Sequence, residues 1–198
     1  MIKLCVFDMG GVIIRDFSIG PELLPYLGYP GLKGFQDLGR NYYELIEKHS
    51  IGEISEDEFW REFEKLSGKT IEEKGLLGKF FHPVLDAKTI DVIKKIKDRG
   101  MRVVCATNVI DSHYKIHMAL HQYDIFDKVY PSHFIHLRKP DLRFYRYVAE
   151  QEGVNPSQCF FTDDIKENVD AGREVGMSSF QYIDAEKLER DLKEVGVL

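Results

Sequence analysis

Three aspartates, a threonine, an asparagine and a lysine stand where chemistry would be expected. Asp8 closes the apolar run 3–7, Thr107 and Asn108 close 102–106, and Asp163 and Asp164 follow 158–162. Lys139 sits in the loop His136-Leu137-Arg138-Lys139-Pro140-Asp141, ahead of a helical stretch. Brought to one edge, these groups suit metal-assisted phosphoryl chemistry. Carboxylates hold Mg2+, one carboxylate attacks phosphorus, and the cation and lysine offset charge on the equatorial oxygens. Singly, each has an ordinary reading. A strand-end aspartate such as Asp163 caps helices, Thr107-Asn108 makes a turn, and Lys139 before Pro140 is an exposed loop lysine. Joint order is what favours chemistry, each group ending a different predicted strand or lying in the loop beyond it.

The elements that must position them follow from hydrophobic pattern. Residues 3–7 are β-rich and apolar on successive positions, as in a buried parallel strand, and stop at Asp8-Met9-Gly10-Gly11, where glycines permit a tight turn. After Pro83 the chain alternates. A helix from about Asp86 ends at Arg99-Gly100, and strands are predicted over 102–106, 128–130, 158–162 and 178–182, with helices between them and at the end. This predicts an α/β fold, a doubly wound parallel sheet covered on both faces, in which ligands collect at the carboxyl ends of the strands. Residues 21–79 instead read as helical. Ser55-x-x-Glu58 is a capping box opening a helix that carries Phe59, Trp60, Phe63 and Leu66 on one face, so Trp60 belongs to a core. The expected division is an α/β core of 1–15 and 83–198 with a helical cap of 16–82 inserted after the first strand.

Bulk properties narrow the partners. The chain has 198 residues, 43 % hydrophobic and 30 % charged, which suits one substantial core with a small appended unit. A net charge of −6 argues against nucleic acid, and Lys94-Lys95-Ile96-Lys97 reads as a solvated helix face. Cys5, Cys105 and Cys159 lie apart within apolar runs and make neither a disulfide framework nor a metal-ligand pattern. The N-terminal apolar run is too short for a signal peptide and nothing approaches membrane-spanning length, so no membrane partner and a cytoplasmic location are expected.

The ordered set resembles the haloacid-dehalogenase superfamily, in its branch with a helical cap after the first motif. The motifs are Val6-Phe7-Asp8-Met9-Gly10-Gly11-Val12, Val103-Val104-Cys105-Ala106-Thr107-Asn108, Arg138-Lys139-Pro140-Asp141 and Phe160-Phe161-Thr162-Asp163-Asp164, with Asn168 at a later polar position. The resemblance implies a magnesium-dependent phosphatase of a small soluble phosphate ester. Asp8 would be the nucleophile, Thr107 and Asn108 would contact the phosphoryl group, and Lys139 would steady both. Asp8, the Gly10 carbonyl and Asp164 would hold Mg2+, with Asp163 in support. Lys139, placed on an exposed edge, is expected to matter little for stability.

One departure is informative. Phosphatases of the family carry a second aspartate two residues after the nucleophile, as general acid and base, and here that position is Gly10. Losing such a group typically costs about 10²–10⁴ in rate. Sugar-phosphate phosphatases of the glucose-1-phosphate type resemble this chain in having Gly there, and an anomeric phosphate leaves with less acid help. Asp16 is the first candidate for a replacement acid, with a solvated linker carboxylate as its plainer reading. His82, His113 and His117 are further candidates, the last two spaced for one helix face but better read as packing. Arg40, Asn41 and Tyr43 are candidate substrate contacts in the insertion. Two other readings stand. One is a metal-independent 2-haloacid dehalogenase, which the paired Asp163-Asp164 disfavours because unneutralised carboxylates repel. The other is a phosphate-binding module with negligible turnover, to which a retained nucleophile adds nothing.

Overall fold

The computed structural model describes residues 1–15 and 17–198. In chain order it runs β1 (Leu4–Phe7), β2 (Ile14–Arg15), four helices α1 (Gly20–Tyr26), α2 (Arg40–Ser50), α3 (Glu56–Ser67) and α4 (Leu76–Lys79), then β3 (Val84–Leu85). There follow α5 (Ala87–Asp98), β4 (Arg102–Thr107), α6 (Asp111–Ala119), β5 (Lys128–Pro131), α7 (Ser132–Ile135) and α8 (Leu142–Gln151). The chain closes with β6 (Cys159–Asp163), α9 (Lys166–Glu174), β7 (Ser178–Gln181) and α10 (Ala185–Glu194).

Five strands form one parallel sheet in the order β5-β4-β1-β6-β7. This is the doubly wound α/β architecture that the sequence predicts. Alternate residues of each strand enter opposite cores. Cys5, Phe7, Val103, Cys105 and Phe160 pack with Ile93 and Ile96 of α5 and Leu188 and Leu192 of α10. Leu4, Val6, Val104, Ala106 and Phe161 pack with Phe144, Tyr145 and Val148 of α8. Two apolar faces leave no polar positions to alternate, so these strands read as continuous hydrophobic runs. The chain builds β4 and β5 on one side of β1, then β6 and β7 on the other. The reversal therefore falls at β1, where open α/β sheets bind ligands. The three cysteines are buried and unpaired.

Helices α1 to α4 all lie between β2 and β3, which pair antiparallel as a two-residue ribbon. That ribbon and the one-turn α7 are too short to leave a periodic signature in the sequence. The capping box of α3 forms as expected: Ser55 Oγ accepts from the Glu58 N–H at 3.2 Å, and Glu58 Oε2 accepts from the Ser55 N–H at 2.8 Å. The apolar face of α3 makes an aromatic cluster in which Phe63 meets Tyr29, Phe35, Tyr42, Phe59 and Trp60 at ring-centroid distances of 5.3–6.4 Å. Among the described residues, no helix is long and apolar enough to cross a membrane.

Phe63 is fully buried at the centre of that cluster. Phe63→Ala is expected to cost about 3–5 kcal/mol, the range for emptying a core aromatic site. The midpoint of denaturant unfolding measures it, and an unchanged midpoint would mean the cluster adds nothing to global stability.

Candidate active site

Register brings the predicted residues together. Phe7 pairs with Cys105 on one side and Thr162 on the other, so Asp8 stands level with Ala106 and Asp163 at the carboxyl edge. The Asp8 N–H donates to the Thr162 carbonyl at 3.0 Å. Asp8, Gly10, Thr107, Asn108, Lys139 and Asp164 line one cavity of about 150 Å³. Asp163, the remaining residue of the predicted set, is fully buried beside it.

Lys139 is the centre of this arrangement, and its loop does not behave as expected. The side chain is 1 % exposed, with Nζ 2.7 Å from Asp8 Oδ1 and 2.6 Å from Asp163 Oδ2. Asn108 explains how a loop lysine is drawn inside. Its Nδ2 donates to the Lys139 carbonyl at 2.8 Å and its Oδ1 accepts from the Lys139 N–H at 2.9 Å. The Asn108 amide thus holds the lysine backbone, and both its ends are taken. Asp163 is fixed in turn. Asn168 Nδ2 donates to both its oxygens at 3.0 Å, and the Ile165 N–H donates to Oδ1 at 2.8 Å. The expectation of an exposed Lys139 is therefore corrected.

Charge is unevenly balanced here. Carboxylate oxygens of Asp8, Asp163 and Asp164 lie within 4.8 Å of one another, against one ammonium. Burial opposes the charge on Lys139, but Asp163 and Asp8 outweigh it and hold the lysine above its ordinary pKa. Burial also pushes Asp8 up to about 7 against the pull of Lys139, and burial with Asp163 raises Asp164. A hard divalent cation is the group that an all-oxygen, charge-deficient cluster fits. Since Asp163 is saturated by hydrogen bonds, Asp8 and Asp164 are the carboxylates left to face it, with Gly10 in the same cavity wall.

The two glycines have different tasks. Gly11 has φ +71°, and a Cβ built there would lie 2.3 Å from Asp164 Oδ2, so glycine lets that carboxylate approach the loop. Arg15 secures the same loop, donating to the Gly11 carbonyl at 2.7 Å and to Asp86 Oδ2 at 3.1 Å. Gly10 is not in the left-handed region. A Cβ there would meet the Phe17 ring at 3.1–3.4 Å. The space above Gly10 is filled by an aromatic side chain.

Phe17, Asn108, Val109 and His113 also line a second cavity of about 350 Å³ beneath the helical insertion, so the two cavities adjoin at these residues. Of the predicted substrate contacts, Tyr43 lines it, whereas Arg40 pairs with Glu44 on the exposed surface and Asn41 is exposed. His113 stacks on Phe81 at 3.7 Å with Nε2 3.0 Å from the Leu77 carbonyl, and burial pushes it down to about 3, leaving the ring neutral. His117 Nδ1 lies 2.6 Å from Gln122 Oε1. The pair is packing, and His82 is exposed. Asp16, the candidate replacement acid, lies outside the described residues. Sequence reasoning missed Phe17, a lone aromatic outside any periodic segment, and the pairing of Arg138 with Glu47 on the second cavity's wall.

Lys139→Met leaves buried carboxylates without their counter-charge, a change that typically destabilises by about 3–5 kcal/mol. The loss should be largest without metal and partly reversed by millimolar Mg2+, as thermal melts with and without the ion would show. A metal-free melting temperature equal to that of the parent protein would mean the ammonium contributes no net stability.

Comparison with known proteins adds the family. The sesquiterpene phosphatase astK of Aspergillus oryzae is 27 % identical over 187 residues, covering 92 % of this chain and 91 % of that protein. The D-ribitol-5-phosphate phosphatase of Bacteroides thetaiotaomicron is 28 % identical over 193 residues, covering 91 % and 92 %. The crystal structure of a HAD family enzyme from the same bacterium, a magnesium complex, superposes with a TM-score of 0.77 at 23 % identity, covering 96 % of this chain and 98 % of that one, and shows the shared fold. Residues 2–176 match the family described as haloacid dehalogenase-like hydrolase, and the chain belongs to that family.

Proposed function

We propose that this chain is a Mg2+-dependent phosphatase of small phosphate esters that works through a phosphoryl group carried on Asp8. The observation that carries the reading is the buried Lys139, held between Asp8 and Asp163 with Asp164 across the same cavity. In the first step an Asp8 carboxylate oxygen attacks phosphorus, and the ester oxygen leaves with the bonding pair. In the second, water attacks the same phosphorus, releasing phosphate and restoring the carboxylate. Lys139 holds Asp8 in place and presents positive charge to the phosphoryl oxygens, and the Thr107 hydroxyl donates to them. Asn108 acts through Lys139, by fixing its backbone. Mg2+, when bound by Asp8, Asp164 and the Gly10 carbonyl, would supply further charge neutralisation at those oxygens.

The names of relatives span a polyol phosphate and a terpenoid ester, consistent with one phosphoryl site serving different alcohols. A sugar phosphate, suggested by the resemblance, falls within that span. The dehalogenase reading is weaker, because three clustered carboxylates against one lysine call for a cation that attack on carbon does not need. A binding module is weaker too, since phosphate binding gains nothing from a carboxylate at the nucleophile position.

Turnover of a phosphate ester should vanish on exhaustive chelation and return with Mg2+. Asp8→Asn should fold and bind Mg2+ less tightly, with kcat/KM lower by at least about 10⁴-fold. Intact-mass measurement after acid quench should find a phosphoryl adduct on the parent protein and none on the variant. Full activity after chelation, or a well-folded Asp8→Asn with substantial turnover, would sink this reading.

A further inference from the structure

The larger cavity is of a size used for small ligands, and its walls describe a substrate. Phe17, Ile19, Phe35, Tyr43 and Ile46 give it an apolar lining. Phe17 and Tyr43 are 38 % and 40 % exposed, an unusual condition for aromatic side chains facing a recess. Most polar groups of the inner wall are engaged, the buried Arg138 Nε being without a partner. Arg138 pairs with Glu47, Ser50 Oγ donates to the Glu47 carbonyl at 2.7 Å, and the Asn108 amide is bound at both ends by Lys139. Ser18, Lys33 and Gln36 also line the cavity and are exposed. A sugar placed here would lose water from its hydroxyls and meet few partners beyond those three side chains. An apolar ring would be buried with no such loss.

The junction between the two cavities adds a second constraint. It is shared by Phe17, Asn108, Val109 and His113, beside Gly10. Among these described residues there is no acid placed to protonate a departing oxygen. Gly10 has no side chain, the Phe17 ring covers it at 3.1 Å from a built Cβ, and His113 is a neutral ring whose Nε2 is taken by Leu77. With these residues, an ester whose oxygen is weakly basic is the one that leaves without an acid's help.

We propose that Phe17, lying over Gly10, and the apolar cavity behind it make this a site for aryl phosphates, with the aromatic body against Phe17 and the phenolate departing unprotonated. The proposal rests on the reading of Asp8 as phosphoryl acceptor. The Asp8 oxygen forms a bond to phosphorus, the phosphorus–aryl oxygen bond breaks, and its electron pair stays on the phenolate, which takes a proton from water after release. Phe17 is in this account the residue that sets specificity.

Two esters separate the body from the leaving group: 2-naphthyl phosphate and 2-(2-naphthyl)ethyl phosphate, with glucose 1-phosphate as the polar comparison. With Mg2+, the parent protein should turn over the naphthyl ester with kcat/KM about 10²-fold or more above the naphthylethyl ester, the scale of absent acid catalysis. Phe17→Ala should raise KM for both naphthyl esters about tenfold with little change in kcat for 2-naphthyl phosphate, the signature of lost apolar contact. Gly10→Asp on the Phe17→Ala background should speed the naphthylethyl ester about 10²-fold, and Gly10→Asp alone should do less because the ring contests the space. Preference for glucose 1-phosphate, an unchanged KM in Phe17→Ala, or no gain in the double variant would overturn the proposal. If no ester is turned over, the phosphatase reading itself fails, and calorimetry on the Mg2+-loaded parent still decides the cavity. Binding of 2-naphthyl phosphate at least about tenfold tighter than inorganic phosphate, lost in Phe17→Ala, supports the aryl site, and equal affinities overturn it.

Discussion

A lysine ammonium buried between two carboxylates is the contact on which this molecule's site depends. A charge removed from water is tolerated only when paired and hydrogen-bonded, so everything that holds Lys139 must hold it closely. Its headgroup meets Asp8 at the end of β1 and Asp163 at the end of β6, and its backbone is clamped by Asn108 just past β4. Asn168 of α9 fixes Asp163 from behind. Three adjacent strand ends and a helix are thus tied to one side chain from a loop. A shift in any of them would move the Asp8 carboxylate.

The same contact leaves the site short of positive charge. Three carboxylates face one ammonium, a formal balance of −2 (one minus three) inside a mostly buried cluster. The upward shifts of Asp8 and Asp164 express that shortfall: burial disfavours their ionised forms more than Lys139 can offset. Proton uptake and cation binding are alternative ways to relieve it. A carboxylate attacks phosphorus only when unprotonated, so the cation route is the one compatible with the role proposed for Asp8. In that role, metal binding would be coupled through charge to the protonation of Asp8.

Much of this frame was legible from residues. Both faces of the sheet are covered, so its strands appear as unbroken apolar runs, and the polar residues that end them mark the carboxyl edge where Asp8, Thr107 and Asp163 fall. The Ser55–Glu58 box and the aromatic face of α3 were local signals and equally readable. What stayed hidden depends on distant partners. Lys139 looks like a loop lysine because its burial is imposed by Asn108, 31 residues away, and Arg138 meets Glu47 across 91 residues. The β2–β3 ribbon has two residues per strand, too few for any period. Gly10 and Gly11 looked like one turn signal, and only coordinates separate them.

That separation changes how the missing acid is understood. Gly11 must be glycine, because its backbone is left-handed and Asp164 packs where a Cβ would stand. Gly10 has neither constraint, so the turn did not require the loss of a side chain there. What occupies its space is the Phe17 ring. An acid at that position acts only as the leaving oxygen gathers charge, and so lowers the barrier specifically. An aromatic wall touches the substrate body equally before and during reaction, and so contributes to binding. Exchanging the first for the second moves selectivity from the reacting bond to the group attached to it. In the proposed aryl site the alcohol supplies what the acid would have supplied, and a weakly basic leaving oxygen joined to an apolar body satisfies both halves of that exchange at once.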